Sequence, residues 1–371
     1  MSKARSNLLI IIAGLVVGIA SVVLVAAGNP VNMGFCIACF IRDIAGGLQL
    51  HTAPVVQYVR PEVIGLVLGA MIMALIGGEF KVRGGSAPVS RFVLGFCVMV
   101  GALVFLGCPL RMVIRLGGGD GNAIMGLVGF VVGVLGGVFF LKKGFSFKKS
   151  QPLAKIEGFV LPAINVILLI LVATGSALLV FSEKGPGSMR APLAIALIAG
   201  LVVGALAQRS RLCMAGGIRD AFMFKDFHLL WGFIAIFAAV LVGNLIVGAA
   251  GGRGGFNPGF GVQPVSHNVW IWNFLGMVVV GIGSVLLGGC PLRQLILAGS
   301  GSSDSTIAVL GMTVGAAFCH NFKLAAGAAT AATADAAASA GGPGLNGKIA
   351  VIVCLAVVVI IALCNTKKEE A

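Results

Sequence analysis

The sequence predicts an all-α integral membrane protein of about ten transmembrane helices, arranged as two inverted repeats with re-entrant or broken short helices at the centre. Three observations carry this expectation. Of the 371 residues, 58% are hydrophobic and only 10% charged, with a mean hydropathy of +1.08, whereas a soluble domain carries about 25% charged residues. Apolar runs approaching the ~20 residues a bilayer requires recur from end to end. The pentapeptide Gly-Cys-Pro-Leu-Arg stands twice, at 107–111 and 289–293, each time closing an apolar run and opening a Gly/Ser-rich stretch. The composition excludes the soluble-enzyme classes.

The spans are expected at 8–27, 63–80, 92–106, 123–141 and 159–181 in a first repeat (residues 1–181). In a second repeat (182–371) they fall at 192–207, 229–250, 271–287, 306–318 and 349–363. The two repeats form a single membrane domain. The run at 8–27 follows basic residues, as a signal peptide does. It is longer than the usual 7–15-residue core of such a peptide and reads as a retained span. Several other runs are short for a full crossing, which predicts tilt or support from neighbours. The abundant glycine (56 residues) predicts close helix packing. The stretch 142–155 reads as a basic linker near anionic lipid. The Ala/Gly/Ser/Thr-rich stretch 325–347 is open between a re-entrant helix and a mobile loop.

The repeat is visible internally. Cys36-Ile-Ala-Cys39-Phe-Ile-Arg42-Asp43 aligns with Cys213-Met-Ala-Gly-Gly-Ile-Arg219-Asp220, and the two pentapeptides follow in the same order. Beyond them Gly117, Gly119, Gly129 and Gly133 match Gly299, Gly301, Gly311 and Gly315. Five spans per repeat would insert the second upside down. With the N-terminus inside, fifteen lysines and arginines, Lys367 and Lys368 among them, fall on inner segments. Seven, including Arg60 and Arg115, fall on outer loops, with the four motif arginines left uncounted. The excess predicts both termini in the cytoplasm and residence in the cell (plasma or inner) membrane.

In Gly-Cys-Pro-Leu-Arg the proline suits the first turn of a helix, where its missing N–H costs nothing. That places Cys108 and Cys290 at N-caps, facing free N–H groups and the positive end of the dipole, a position that attracts anions and favours thiolate. Arg111 and Arg293 follow one turn in. Non-helical backbone at membrane depth survives only where it is buried or lines a watery cavity, so the motif reads as a re-entrant site. The Cys108 element is expected on the outer side and the Cys290 element on the inner. The competing reading is a tight extramembrane turn with a packing cysteine and an interfacial arginine.

The Arg42-Asp43 and Arg219-Asp220 pairs either bind an anionic substrate or neutralise one another. The ion pair is favoured because unpaired charge in a membrane is costly. Cys36 and Cys213 stand six positions before the arginines as pathway candidates. Cys36-Ile-Ala-Cys39 also has the spacing of a thiol–disulfide redox pair, although Gly216 stands where a second cysteine would fall in the repeat. Cys97, Cys319, Cys354 and Cys364 read as small buried hydrophobes. Nine cysteines in such a chain are not read as a disulfide framework.

The formal net charge is +14, with 12 acidic residues and 4 histidines. Anionic cargo fits this balance better than metal cations. No metal site, cofactor or nucleic-acid partner is expected. A membrane thiol oxidoreductase using Cys36 and Cys39, and a soft-metal transporter using thiolates and methionines such as Met214, are the alternatives.

The Cys36/Cys213 elements with their downstream Arg-Asp, and the glycine-cysteine elements at Cys108 and Cys290, resemble the YeeE/YedE family, in particular members associated with selenium metabolism. The resemblance runs from Leu8 to Leu363. It implies an importer of a small sulfur- or selenium-containing anion, selenium species first and thiosulfate second, with short helices plugging the centre. It also implies that Cys36, Cys108 and Cys290, with Cys213 as the symmetric fourth, are pathway thiols. A cytoplasmic sulfur-carrier protein of the TusA type is the partner such a family suggests. Cys39 and the arginine after each Cys-Pro-Leu depart from the simplest family pattern. No carrier domain is expected beyond the short charged C-terminal tail.

Overall fold

Backbone polar groups in lipid must be satisfied within their own segment, so apolar runs of this length become helices. The computed structural model describes residues 3–334 and 336–366. Lys367, Lys368 and the charged tail lie outside the described residues. The first half contains α1 (Lys3–Ala26), α2 (Ile37–Gly47), α3 (Pro61–Ile76), α4 (Pro88–Phe105), α5 (Pro109–Gly117), α6 (Asn122–Lys142), the single turn α7 (Lys155–Gly158) and α8 (Val160–Ala173). The second contains α9 (Leu193–Ser210), α10 (Met214–Phe224), α11 (His228–Ala249), α12 (Trp270–Leu286), α13 (Pro291–Gly299), α14 (Ser303–Asn321) and α15 (Leu345–Cys364). Two-residue strands β1 (Arg83–Gly84) and β2 (Gln151–Pro152) pair antiparallel.

Each predicted apolar run falls largely on a helix. Among the described residues, however, seven segments rather than ten are long and apolar enough to cross a membrane. These are α1, α4 with α5, α6, α9 with α10, α11, α12 with α13, and α15. The shortfall has local causes. Helices α3 and α8 have only 16 and 14 residues, and α14 carries Asp304, Thr306, Thr313 and His320. The most apolar windows of the α4–α5 and α12–α13 segments are 89% buried, against 28% for α15. These two segments, which contain the pentapeptides, are therefore the centre of the molecule.

Packing around that centre is reciprocal. α6 lies along α12 while α14 lies along α4, and α3 lies along α9 while α11 lies along α1. The reciprocity reaches single residues. A Cβ at Gly129 would strike the Phe274 carbonyl and one at Gly311 the Phe92 carbonyl; a Cβ at Gly133 would strike Val278 and one at Gly315 Phe96. The glycines differ by 182 positions, and so do their targets. Glycine is needed here because lipid offers no hydrophobic drive between helices, and close backbone approach replaces it.

Loops gather at two ends. At one, here the terminal end, Ser6 and Asn7 bond His228, Ser146 donates to the Asn365 carbonyl and Arg209 meets Glu79. At the other, the loop end, Asn29 bonds Ala191, Ser182 bonds Gln57, and Ala329 donates to the Ser266 carbonyl. The basic linker at 142–155 is tied down through β2 and through Ser150 to Asp304. Among its described residues, the stretch 325–344 is no re-entrant helix. It forms an irregular loop folded on itself by isolated antiparallel bridges, Gly327 with Gly342 and Thr330 with Ser339. Cys97, Cys319 and Cys354 are buried as expected of small hydrophobes; Cys364, at the end of α15, is exposed.

Candidate functional site

Four short helices converge on the centre, and each is N-capped by a cysteine. Cys36 caps α2 and Cys213 caps α10, both in extended conformation. Their sulfurs accept the backbone N–H of Cys39 (3.3 Å) and of Gly216 (3.2 Å). Cys108 caps α5 and Cys290 caps α13, with Pro109 and Pro291 at the first helical position. The proline fixes the chain for the helix start, leaving the cysteine as the residue that faces the unpaired N–H groups. Gly107 and Gly289 precede them because the stems of Arg111 and Arg293 fold back across those positions, where a Cβ would collide.

The cysteines associate in two groups. In the first half, Cys108 accepts the Ile37 N–H (3.3 Å) and its thiol interacts with that of Cys36, while Cys39 donates to the Leu106 carbonyl (3.9 Å). In the second half, the Cys213 and Cys290 sulfurs lie 3.9 Å apart. All five thiols are free and buried.

Arg111 is fully buried beside the first group. Its guanidinium donates to the carbonyls of Asn32 (2.9 Å), Val265 (3.0 Å), Pro264 and Leu106, and to the Cys39 sulfur (3.7 Å). Leu106 turns its carbonyl inward by adopting a left-handed conformation, φ 61°. The segment 257–267 covers this group. Asn257 and Gly259 bond the backbone after α5, and His267 bonds the Val104 carbonyl at 2.8 Å. Because Nδ1 of His267 accepts the Val269 N–H, Nε2 carries the proton. Burial pushes the imidazole down to about 4 from its ordinary 6.5; repulsion from Arg115 adds to this and the Val104 carbonyl opposes it.

The second group is not covered in this way. Arg293 occupies the place of Arg111, but its Nη1 is buried without a hydrogen-bond partner. A cavity of 420 Å³ at the terminal end is lined by Cys213, Gly288, Arg211, Arg219 and Arg293. A second, of 400 Å³, shares Arg211, Arg293 and Leu297 with it and adds Lys81 and Arg83.

The Arg-Asp pairs diverge in the same sense. Asp43, fully buried, is held at 2.7 Å by both Arg42 and Arg60. Arg60 also bonds the Pro186 and Met189 carbonyls and lies over the Phe40 and Tyr58 rings. Asp220 is paired with Arg219, also at 2.7 Å, and that pair is part-exposed. Arg60 and Arg115, expected as outer loop charges, are instead fully buried. Arg115 pairs with Asp120 at 2.7 Å and bonds Ser266. A signal for Arg115 was present, since it stands one helical turn after Arg111 on the same face. Arg211, a wall of both cavities, carried no signal. Among the described residues no cluster of three His, Cys, Asp or Glu side chains is arranged to hold a metal ion.

Residues 209–371, which include Cys213, Cys290, Arg211 and Arg293, match the family described as sulphur transport. The chain is 33% identical over 113 residues to the thiosulfate transporter TsuA of Escherichia coli (strain K12), covering 30% of each chain. It is 31% identical over 121 residues to the thiosulfate transporter TsuA of Spirochaeta thermophila, covering 32% of this chain and 34% of that one. The alignments therefore span about a third of these curated relatives. With seven long apolar helices and relatives of this kind, the chain is a multi-pass membrane protein. Both relatives are named for thiosulfate, so the selenium preference drawn from the resemblance has no counterpart in them.

Proposed function

We propose that this protein imports a small sulfur oxyanion of the thiosulfate class along a central path marked by Cys36 and Cys108 near the loop end and by Cys213 and Cys290 near the terminal end. The observation that carries this reading is the placement of all four cysteines at N-caps on the two segments that form the centre and on the two short helices beside them. The sulfurs of Cys36, Cys108 and Cys213 each accept a backbone N–H, and their thiols associate in pairs that an anion could compete with. A thiol is a weak donor, and weak sites in series allow an anion to enter and to leave. Dipole ends aimed inward supply positive potential without unpaired side-chain charge.

Residues 1–181 and 182–371 are two inverted halves of one membrane unit, a reading supported by the reciprocal glycine contacts. The terminal end faces the cytoplasm, because Lys81, Arg83, Arg209, Arg211 and Lys225 gather there. A sulfur-carrier protein receiving cargo would meet the open basic cavities on that side.

The test is uptake of labelled thiosulfate and labelled selenite by cells lacking their own systems. Thiosulfate accumulates with the wild type, and Cys108→Ala lowers the rate at least tenfold. No accumulation above background, with the protein demonstrated in the membrane, overturns import. Accumulation of selenite alone returns the cargo to selenium. Loss with Cys39→Ser but not with Cys108→Ala favours the redox reading.

A further inference from the structure

We infer that Arg211 and Arg293 form an oxyanion site of their own at the terminal-end mouth, one that selects by charge rather than by sulfur. The inference rests on the import reading for its place in transport, but not for the binding itself.

Arginine stays charged at any pH a protein meets, so a half-buried guanidinium needs an acceptor. Arg111 shows what the protein supplies when it provides acceptors itself, namely carbonyls on several sides. Arg293, in the equivalent place, has none for Nη1. Leu106, whose carbonyl serves Arg111, is matched by Gly288, which lines the cavity instead.

Arg211 faces the same space from the end of α9. It sits there in a left-handed conformation, φ 58°, which is costly for a residue with a side chain. Neither Arg211 nor Arg293 has a carboxylate within ion-pair distance among the described residues.

The acids lining the two cavities are engaged elsewhere. Glu79 takes Arg209 and Gln208, Asp220 takes Arg219, and Asp226 takes the His228 N–H. Two like charges therefore line one space with no carboxylate in direct contact with either among the described residues, an arrangement that an oxyanion between them would neutralise. Cavities of 420 and 400 Å³ meeting at these side chains leave room for such an ion with several waters at about 30 Å³ each. Lys81 and Arg83 extend the positive wall outward and focus the field on the mouth. Cys213 opens on the same cavity, so an anion leaving the last thiols passes directly to the arginines.

The experiment is equilibrium binding of labelled sulfate, a dianion without a terminal sulfur, to the purified full chain in detergent, with thiosulfate alongside. The wild type binds both. Arg211→Gln and Arg293→Gln each weaken sulfate at least tenfold, Arg293→Lys weakens it less, and Cys213→Ala leaves sulfate binding in place. Thermal melting of each variant without anion separates lost affinity from lost fold. A second measurement needs no variant: saturating sulfate slows maleimide labelling of Cys213 in inside-out vesicles.

Wild type that binds thiosulfate but not sulfate, glutamine variants that bind as the wild type does, or absence of protection each overturns the site. If sulfate binding depends on the arginines while cells take up no thiosulfate, import fails and the anion site stands. If thiosulfate uptake is intact while sulfate binding ignores both arginines, the site fails and import stands.

Discussion

Arg111 and Arg293 close two copies of one pentapeptide, each three residues after a capping cysteine, yet they live in different surroundings. Arg111 is surrounded by carbonyls under the segment 257–267. Arg293 borders two cavities. The cause lies outside the motif. The connection after α11 runs through 250–269 and reaches back over α5, whereas the connection after α3 runs only through 77–87. Both make the equivalent backbone bonds, Asn257 and Gly259 to the turn after α5, Lys81 and Arg83 to the turn after α13. Only the longer one then continues across the cysteine. The repeated pentapeptide thus supplies two equivalent thiol caps, and loop length decides which is sealed and which is open.

The sharpest way to break this comparison is at the Arg-Asp pairs. Asp43→Asn leaves Arg42 and Arg60 buried with no carboxylate and is expected to cost about 3–5 kcal/mol, seen as loss of folded protein in detergent melts. Asp220→Asn, at a part-exposed pair, is expected to cost about 1 kcal/mol or less. Equal costs would contradict the sealed-against-open distinction.

The cover itself has a pH signature. The His267 imidazole is held at about 4 when folded against an ordinary 6.5. Its contribution is therefore complete above pH 6.5 and is lost as pH falls from there towards 4. That loss amounts to about 3 kcal/mol between pH 7 and pH 4. His267→Gln should flatten this part of the stability–pH profile, and an unchanged slope would remove His267 from the cover.

Two matched glycine substitutions test what the halves share. Gly129→Ala and Gly311→Ala each drive a methyl into a facing carbonyl, at Phe274 and Phe92 respectively. Each is expected to cost about 1–3 kcal/mol. The two should be alike within error; one severe and one neutral would break the reciprocity.

The caps at Cys108 and Cys290 were legible because they depend on neighbours in sequence, whereas those at Cys36 and Cys213 carried no such local signal. A proline at the first helical position and a glycine beneath the arginine stem are local requirements, and the repeat stated them twice. The ten apolar runs were legible for the same reason, although the short α3 and α8 rely on neighbours that no run reveals. Arg60 was misread as a loop charge because its partners, the Pro186 and Met189 carbonyls, come from far along the chain, whereas Arg115 was misread although Asp120, its ion-pair partner, stands five residues on. The repeat itself concealed the asymmetry of the site. Identical pentapeptides promise identical surroundings, whereas the difference is made by connections that do not repeat.

The most direct test of a path sealed at one end and open at the other is side-specific thiol labelling of the wild type. A membrane-impermeant maleimide is applied to right-side-out and inside-out vesicles, and modified cysteines are located by peptide mass mapping. Cys213 should label in inside-out vesicles only, together with the exposed Cys364, while Cys36 and Cys108 label in neither. Rapid labelling of Cys108 from the outside, with Cys213 unreactive from both sides, would contradict it.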